Sequence, residues 1–473
     1  MNRKIALALI IIVIVSSVSI IGYMPKALGQ SGTSVSSQII TSNTTWTQAG
    51  SPYTFTGPVG VAADVALTID AGVTVNLESF GLNVNGTLYA QGTPNDKITF
   101  NSLYAISLAS SYLYNPSSIN APSNINIANA NAACTIENAV LTNTSLNSAI
   151  NTSVKINNCY FDGGAGLTIW SSSTTLSNSY VTGQVFVRGP AVVSKNILLG
   201  GVDAGLSTIV TPESYNDYSC VFSDNNITNP GGTAVAINGA ATISDNIISD
   251  GSTGISLSSE GATIQGNLIV NNGMGISIDP SHGGGVIDNN TIANNSGGGI
   301  GPATESDTIN FNNLENNGQF NLESATNEPV GGGGYGSVET YPFPVNATYN
   351  WWGTSDSQAI SQTIKDTQSD YQLGAVTFEP FLTAPNPEAP SITTTLTTPT
   401  LSSTPSPTPK STLTSPNPTA TQQNPTTGAQ TKTEAGFNWP QIALLIAVAV
   451  IVASVVVVVA LLHGHRKTAN LIK

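Results

Sequence analysis

Two aspartates, Asp224 and Asp245, each stand just before an asparagine in neighbouring copies of one repeat. If the copies stack as strands do, about 4.8 Å apart, the two carboxylates approach the separation of roughly 5 to 9 Å that glycoside hydrolysis requires. They are the best acid–base pair in the chain, but aspartate beside a repeated asparagine is also what a tight turn uses. Trp351 and Trp352 are the second feature with chemical meaning. Paired aromatics offer flat faces to pyranose rings, and the same bulk suits the covering of an open apolar end. Metal chemistry finds little support. Cys134, Cys159 and Cys220 lack zinc-ligand spacing and read as small buried apolar residues, and His282, beside Gly283-Gly284-Gly285, reads as a solvated loop residue.

What would position these residues is a period of about twenty residues. An asparagine recurs at Asn138, Asn158, Asn178, Asn196, Asn225, Asn246, Asn267, Asn290 and Asn312, with Asn350 as a late member. Four residues further on, Asp162, Asn229, Asp250, Asn271, Asn294 and Asn316 form a second series near glycines, and these residue types tolerate the left-handed region of a turn. Short alternating runs follow, such as Gly254-Ile255-Ser256-Leu257 and Gly275-Ile276-Ser277-Ile278, and period two means strand. Strand, turn, strand, turn at this pitch predicts an all-β chain, a single-stranded parallel β-helix of about a dozen coils. The asparagines then fall above one another as a ladder whose amides satisfy each other and the turn backbone, a structural role. Cys134 and Cys220 should lie roughly four coils, or about 19 Å, apart, beyond disulfide reach.

Charged residues are 8% of the chain and the formal net charge is −14. Between residues 31 and 382 the basic side chains are Lys97, Lys155, Arg188, Lys195 and Lys365 alone. Such a surface does not hold phosphate backbones, which excludes nucleic-acid partners. Residues 1–30 read as a signal peptide or signal anchor, with a basic start and an apolar run from Ile5 to Gly22. Residues 31–382 hold the β-helix. Residues 383–438, rich in Thr, Ser and Pro, read as an unfolded stalk. Residues 439–462 include the uncharged run Ile442 to Leu462, long enough to span a bilayer, and residues 463–473 form a basic tail expected in the cytoplasm. The solenoid is therefore expected outside the cell, on a membrane-anchored chain of one or two spans. Glycosylation sequons stand at Asn43, Asn85, Asn143, Asn151, Asn226, Asn289, Asn294 and Asn346.

The segment Trp46 to Ser102 resembles the opening coils of extracellular right-handed parallel β-helix proteins, through Ser51-Pro52-Tyr53, Leu67-Thr68-Ile69-Asp70-Ala71-Gly72-Val73-Thr74-Val75 and Val84-Asn85-Gly86-Thr87-Leu88-Tyr89. Tyr349-Asn350-Trp351-Trp352-Gly353-Thr354 is similar to an Asn-aromatic-Trp-Gly signature near the last coil of such proteins. The resemblance covers residues 40 to 382 and implies a right-handed solenoid of the pectate-lyase-like and NosD-like superfamily. A lyase of that superfamily would need a base to abstract a proton, commonly with calcium bridging carboxylates to substrate. The basic residues here are few and scattered, so neither calcium nor any other cofactor is indicated. No His, Cys or Met cluster would hold copper, as a NosD-like role would ask. The expected function is non-enzymatic binding of carbohydrate or of another surface protein. A tethered polysaccharide hydrolase or lyase and a structural envelope protein are the alternatives.

Overall fold

The computed structural model describes residues 32–103, 124–128, 133–149, 152–170, 173–205, 220–326 and 344–393. The chain divides into two units, Met1–Pro405 and Ser406–Lys473. The second unit, with the expected membrane span and cytoplasmic tail, lies outside the described residues, as do the signal segment and most of the stalk. Among the described residues no helix is long and apolar enough to cross a membrane.

The described residues of the first unit form a parallel β-helix. Among the described residues its strands form three sheets of 13, 14 and 14 members, each coil giving one strand to each sheet in turn. The first sheet opens with Thr33–Val35 and Tyr53–Phe55, the second with Gln38–Ile40 and Val59–Val61, the third with Thr44–Trp46 and Ala66–Ile69. Each strand pairs in parallel with its equivalents in the coils before and after, so alternation along a strand becomes columns along the solenoid. One inward column runs Phe222, Ile243, Ile264, Ile287 and Ile309 in the third sheet. Another runs Val235, Ile255, Ile276, Ile300 and Leu322 in the second. All of these are 0% exposed. A three-strand coil has nothing of its own to cover such residues, so stacking provides the burial, worth about 2 kcal/mol for each large aliphatic.

Both ends carry aromatic closures. At the start Trp46 stacks on Tyr53 at 4.8 Å and meets Phe55 edge-on at 5.9 Å. At the far end Trp352 meets Phe378 edge-on at 6.3 Å, and Phe378 stacks on Phe381. A short helix, Ser357–Ser361, is capped by the Asp356 carboxylate and turns Ile360 into the same core.

The chain keeps its grip on the solenoid beyond Leu382, within the stretch expected to begin the stalk. Asn386 donates its backbone N–H to Asn313 Oδ1 at 2.8 Å and its amide to Asn289 Oδ1 and the Phe311 carbonyl. Thr291 Oγ1 then donates to the Pro390 carbonyl. Leu382 bonds to Asn350 in the last coils, so the segment runs back along the flank of the first sheet. Composition suggested an unfolded stalk from residue 383; side-chain amides supplied by the outer face of the sheet hold these residues instead.

Candidate functional site

The asparagine ladder forms, in a register one residue removed from part of the expectation. Asn196, Asn225, Asn246, Asn267, Asn290, Asn312 and Asn350 are all 0–1% exposed. From Asn225 onward each Oδ1 accepts both the backbone N–H and the side-chain amide of the asparagine one coil back, as Asn267 does from Asn246 at 3.0 and 3.0 Å, while Asn196 Oδ1 accepts the Ser179 N–H. Each Nδ2 also donates to a carbonyl of the preceding coil, Asn267 to Ile243 at 2.8 Å. Asn138, Asn158 and Asn178 are not rungs. They sit one position earlier, half-exposed, with φ of 50°, 52° and 51°. Ala139, Cys159 and Ser179 take the rung position in those coils. Ser179 Oγ accepts from the Cys159 N–H at 3.1 Å, and the Cys159 thiol donates to Ile136 O as an amide does elsewhere. The distinguishing signal is the distance to the inward residue of the next strand. A rung stands two before it, as Asn225 before Ile227, whereas Asn158 stands three before Phe161.

A second, shorter ladder was missed. Gly251 N–H donates to Asn272 Oδ1, Asn272 to Asn295 Oδ1 and Asn295 to Asn317 Oδ1, at 2.9, 3.0 and 3.1 Å. In the doublets Asn271-Asn272, Asn294-Asn295 and Asn316-Asn317 the first member takes the left-handed turn, with φ of 59°, 57° and 57°, and the second takes the rung. Of the expected turn series, Asp250, Asn271, Asn294 and Asn316 have positive φ; near Asp162 and Asn229 glycines 163, 164 and 231 take it instead.

Asp224 and Asp245 occupy the left-handed corner before the rung, φ 56° and 57°, in successive coils and exposed to solvent. Burial, and then the neighbouring Asp224 charge, push the Asp245 carboxyl above the usual range, while the Ser244 hydroxyl opposes this. The tryptophans part company. Trp351 pairs with Asn313 at the outer face of the first sheet, half-buried, while Trp352 is 2% exposed inside the core. A ring so enclosed does not stack on sugar; of the two readings of Trp352, closure of the solenoid is the one its burial allows. The cysteines are free and buried, with Cys134 and Cys220 in one column of the third sheet four coils apart. Burial pushes Cys159 up to about 12 and Cys220 to about 11.

Asp279, Ser281 and His282 gather in the Gly-rich loop but do not form a proton relay. Ser281 Oγ at 2.9 Å and Asp279 Oδ2 at 3.3 Å both approach the same ring nitrogen, Nδ1. A nucleophile and an orienting carboxylate must address opposite nitrogens. Among the described residues no group of three or more His, Cys, Asp or Glu could hold a metal ion.

Among the described residues, the outer face of the second sheet carries the most hydrogen-bonding atoms that are shielded from solvent and without a partner. One outward column there runs Asn83, Asn126, Asn147, Thr168, Phe186 and Asp203. Asn147 Nδ2 donates to Asn126 Oδ1 at 2.8 Å, and Asn126 Nδ2 to Asn83 Oδ1 at 2.9 Å. The amide chain therefore ends on Asn147 Oδ1, which has no partner, beside Thr168 Oγ1, which also has none. Both atoms of the Asn124 amide and the Trp170 indole N–H are likewise buried and unpartnered. Asn124, Asn147 and Thr168 are 0%, 7% and 2% exposed although the alternation of their strands turns them away from the core. Each such atom costs about 1–3 kcal/mol without a partner, so a cluster of them asks for hydroxyl groups or ordered water. The row ends at Arg188, which grips Asp203 with two 2.9 Å bonds and lies 5.4 Å from the Phe186 ring centre. The alternating strands Asn124–Ile127, Ser145–Ser148 and Leu167–Ile169 made this row legible once the outward positions were aligned; the ladder drew attention to the opposite corner.

A family model for a right handed beta helix region matches residues 191–335. It agrees with the parallel coils and makes this a right-handed β-helix. No curated protein matches the chain. Among solved structures, the crystal structure of a mutant of the periplasmic alginate epimerase AlgG is similar at 12% identity, with a TM-score of 0.31, over 69% of this chain and 74% of that one.

Proposed function

We propose that this protein is a membrane-anchored, cell-surface β-helix that binds a neutral polysaccharide along the outer face of its second sheet, without turning it over. The observation that carries the reading is the outward column in which Asn126, Phe186 and Asp203 stay part-exposed beside the shielded, unpartnered atoms of Asn124, Asn147, Thr168 and Trp170. A chain of hydroxyl groups supplies donors and acceptors at such a spacing, and the Trp170 indole adds an aromatic edge. Charge supports a neutral ligand. The titratable groups of the row are Arg188 and Asp203, and their two-point contact neutralises both. The same pairing favours binding over catalysis, because the guanidinium already engages both oxygens of the Asp203 carboxylate.

One observation favours the enzymatic alternative: Asp203 keeps part of its side chain open, at 24%, within the same column as the row. The two readings separate in one experiment on the full-length protein in detergent. Neutral polysaccharides immobilised in native gels should retard the wild type, and Asn147→Leu with Thr168→Val should weaken retention at least tenfold. Release of reducing or unsaturated sugar ends by the wild type, abolished by Asp203→Asn, would overturn the non-enzymatic reading. No retardation by any neutral polysaccharide would overturn the carbohydrate reading itself.

A further inference from the structure

The left-handed corner before each rung is filled along the solenoid by Asn138, Asn158, Asn178, Lys195, Asp224, Asp245, Gly266 and Asn289, all but Lys195 of types that favour it. The last two coils break this pattern. Phe311 and Tyr349 hold the position with φ of 57° and 58°, a conformation that a bulky side chain adopts only at a cost. Core packing does not account for it, since the two side chains are 44% and 47% exposed. Their rings stack on each other at 5.6 Å and 14°, forming an aromatic strip at the outer edge of the solenoid. The backbone beneath is held from several sides. Phe311 N–H donates to Tyr349 O, Tyr349 N–H to Pro380 O, and the Asn386 amide to Phe311 O.

Beside the strip, the outward residues that precede each corner are Asp288, Asn310 and Thr348. Asn310 Nδ2 donates to Thr348 O at 2.7 Å, while Asp288 Oδ1 is shielded from solvent and has no partner. An aromatic surface bordered by hydrogen-bonding groups matches a sugar ring, which presents C–H groups on its face and hydroxyls at its rim. We propose that Phe311 and Tyr349 form a second carbohydrate contact, taking the apolar face of a neutral hexopyranose while the Asp288–Asn310–Thr348 edge receives its hydroxyls. The strip lies at the corner between the third and first sheets, away from the second-sheet row, and rests on the preceding reading only for the ligand class.

The test is the double variant Phe311→Asn, Tyr349→Asn in the full-length protein, with cellohexaose and mannohexaose as probes. Asparagine suits the left-handed region, so thermal unfolding should stay put or rise, whereas affinity for the bound hexaose should fall at least fivefold. A structural role predicts the reverse, a clear drop in melting temperature. The variant Asn147→Leu, Thr168→Val is run alongside. If it abolishes binding while the aromatic variant binds as wild type, this inference falls and the second-sheet reading stands. If the aromatic variant alone loses binding, the second-sheet row is the one that falls. A wild type that binds neither hexaose overturns the aromatic site.

Discussion

Replacing Asn267 by Leu tests the buried ladder at its centre. The side chain is 0% exposed, and leucine is close enough in size to keep water out. Asn267 Oδ1 accepts from the Asn246 N–H and amide, and its Nδ2 donates to Asn290 Oδ1, Ile243 O and Gln265 O. The Asn246 amide retains Phe222 O and Ser244 O, and Asn290 Oδ1 retains the Asn267 N–H. The Asn246 N–H is left bare, at about 2 kcal/mol, and two carbonyls lose a donor, at about 1 kcal/mol each. Burial of the leucine side chain returns about 2 kcal/mol, so the net loss is about 2 kcal/mol. Asn158→Gly is the control, since glycine keeps the left-handed corner and the half-exposed side chain gives up only its amide bond to Asn138 Oδ1; it should cost no more than about 1 kcal/mol. Urea unfolding followed by circular dichroism measures both. Equal effects of the two substitutions, or none from Asn267→Leu, would refute the one-residue register that separates rungs from corners.

Three further outcomes follow from the same geometry. Because burial raises the pKa of all three thiols, Ellman's reagent at pH 8 should count no thiol in the native protein and three after denaturation. Asp245, an acid raised in the fold, weakens the native state above its folded pKa, and this penalty vanishes below the unfolded value of about 3.9. Asp245→Asn should therefore stabilise at pH 7 by roughly a few tenths of a kcal/mol, given the exposure of the site, and leave melting at pH 3 unchanged. Limited proteolysis of the wild type should cut beyond Thr393, whereas Asn386→Ala, which frees the docked segment, should open cuts between residues 383 and 390; identical fragments by mass spectrometry would argue against the docking.

The amino-acid sequence by itself determined the architecture. Its period of about twenty residues, its alternating strands and its left-handed turn residues each act locally, and local rules of backbone conformation suffice to infer coils that must stack. It also contained the ladder, but not its register. Asn158 and Asn225 look alike in sequence, and the pairing of Tyr160 with Tyr180, Tyr180 with Ile197 and Ile197 with Asn226 shows that Cys159, not Asn158, stands in line with Asn225. The candidate binding surfaces lay further from view. Asn126, Asn147, Thr168, Phe186 and Asp203 are separated by about twenty residues each, and their chemistry arises from standing in one outward column. Nothing local marks Asn147 Oδ1 as unpartnered or Phe311 as left-handed. Those properties depend on which coil lies above and below, and a one-residue change of register exchanges the two faces of a strand. Tertiary stacking therefore decided where the unused bonding capacity of this chain is displayed.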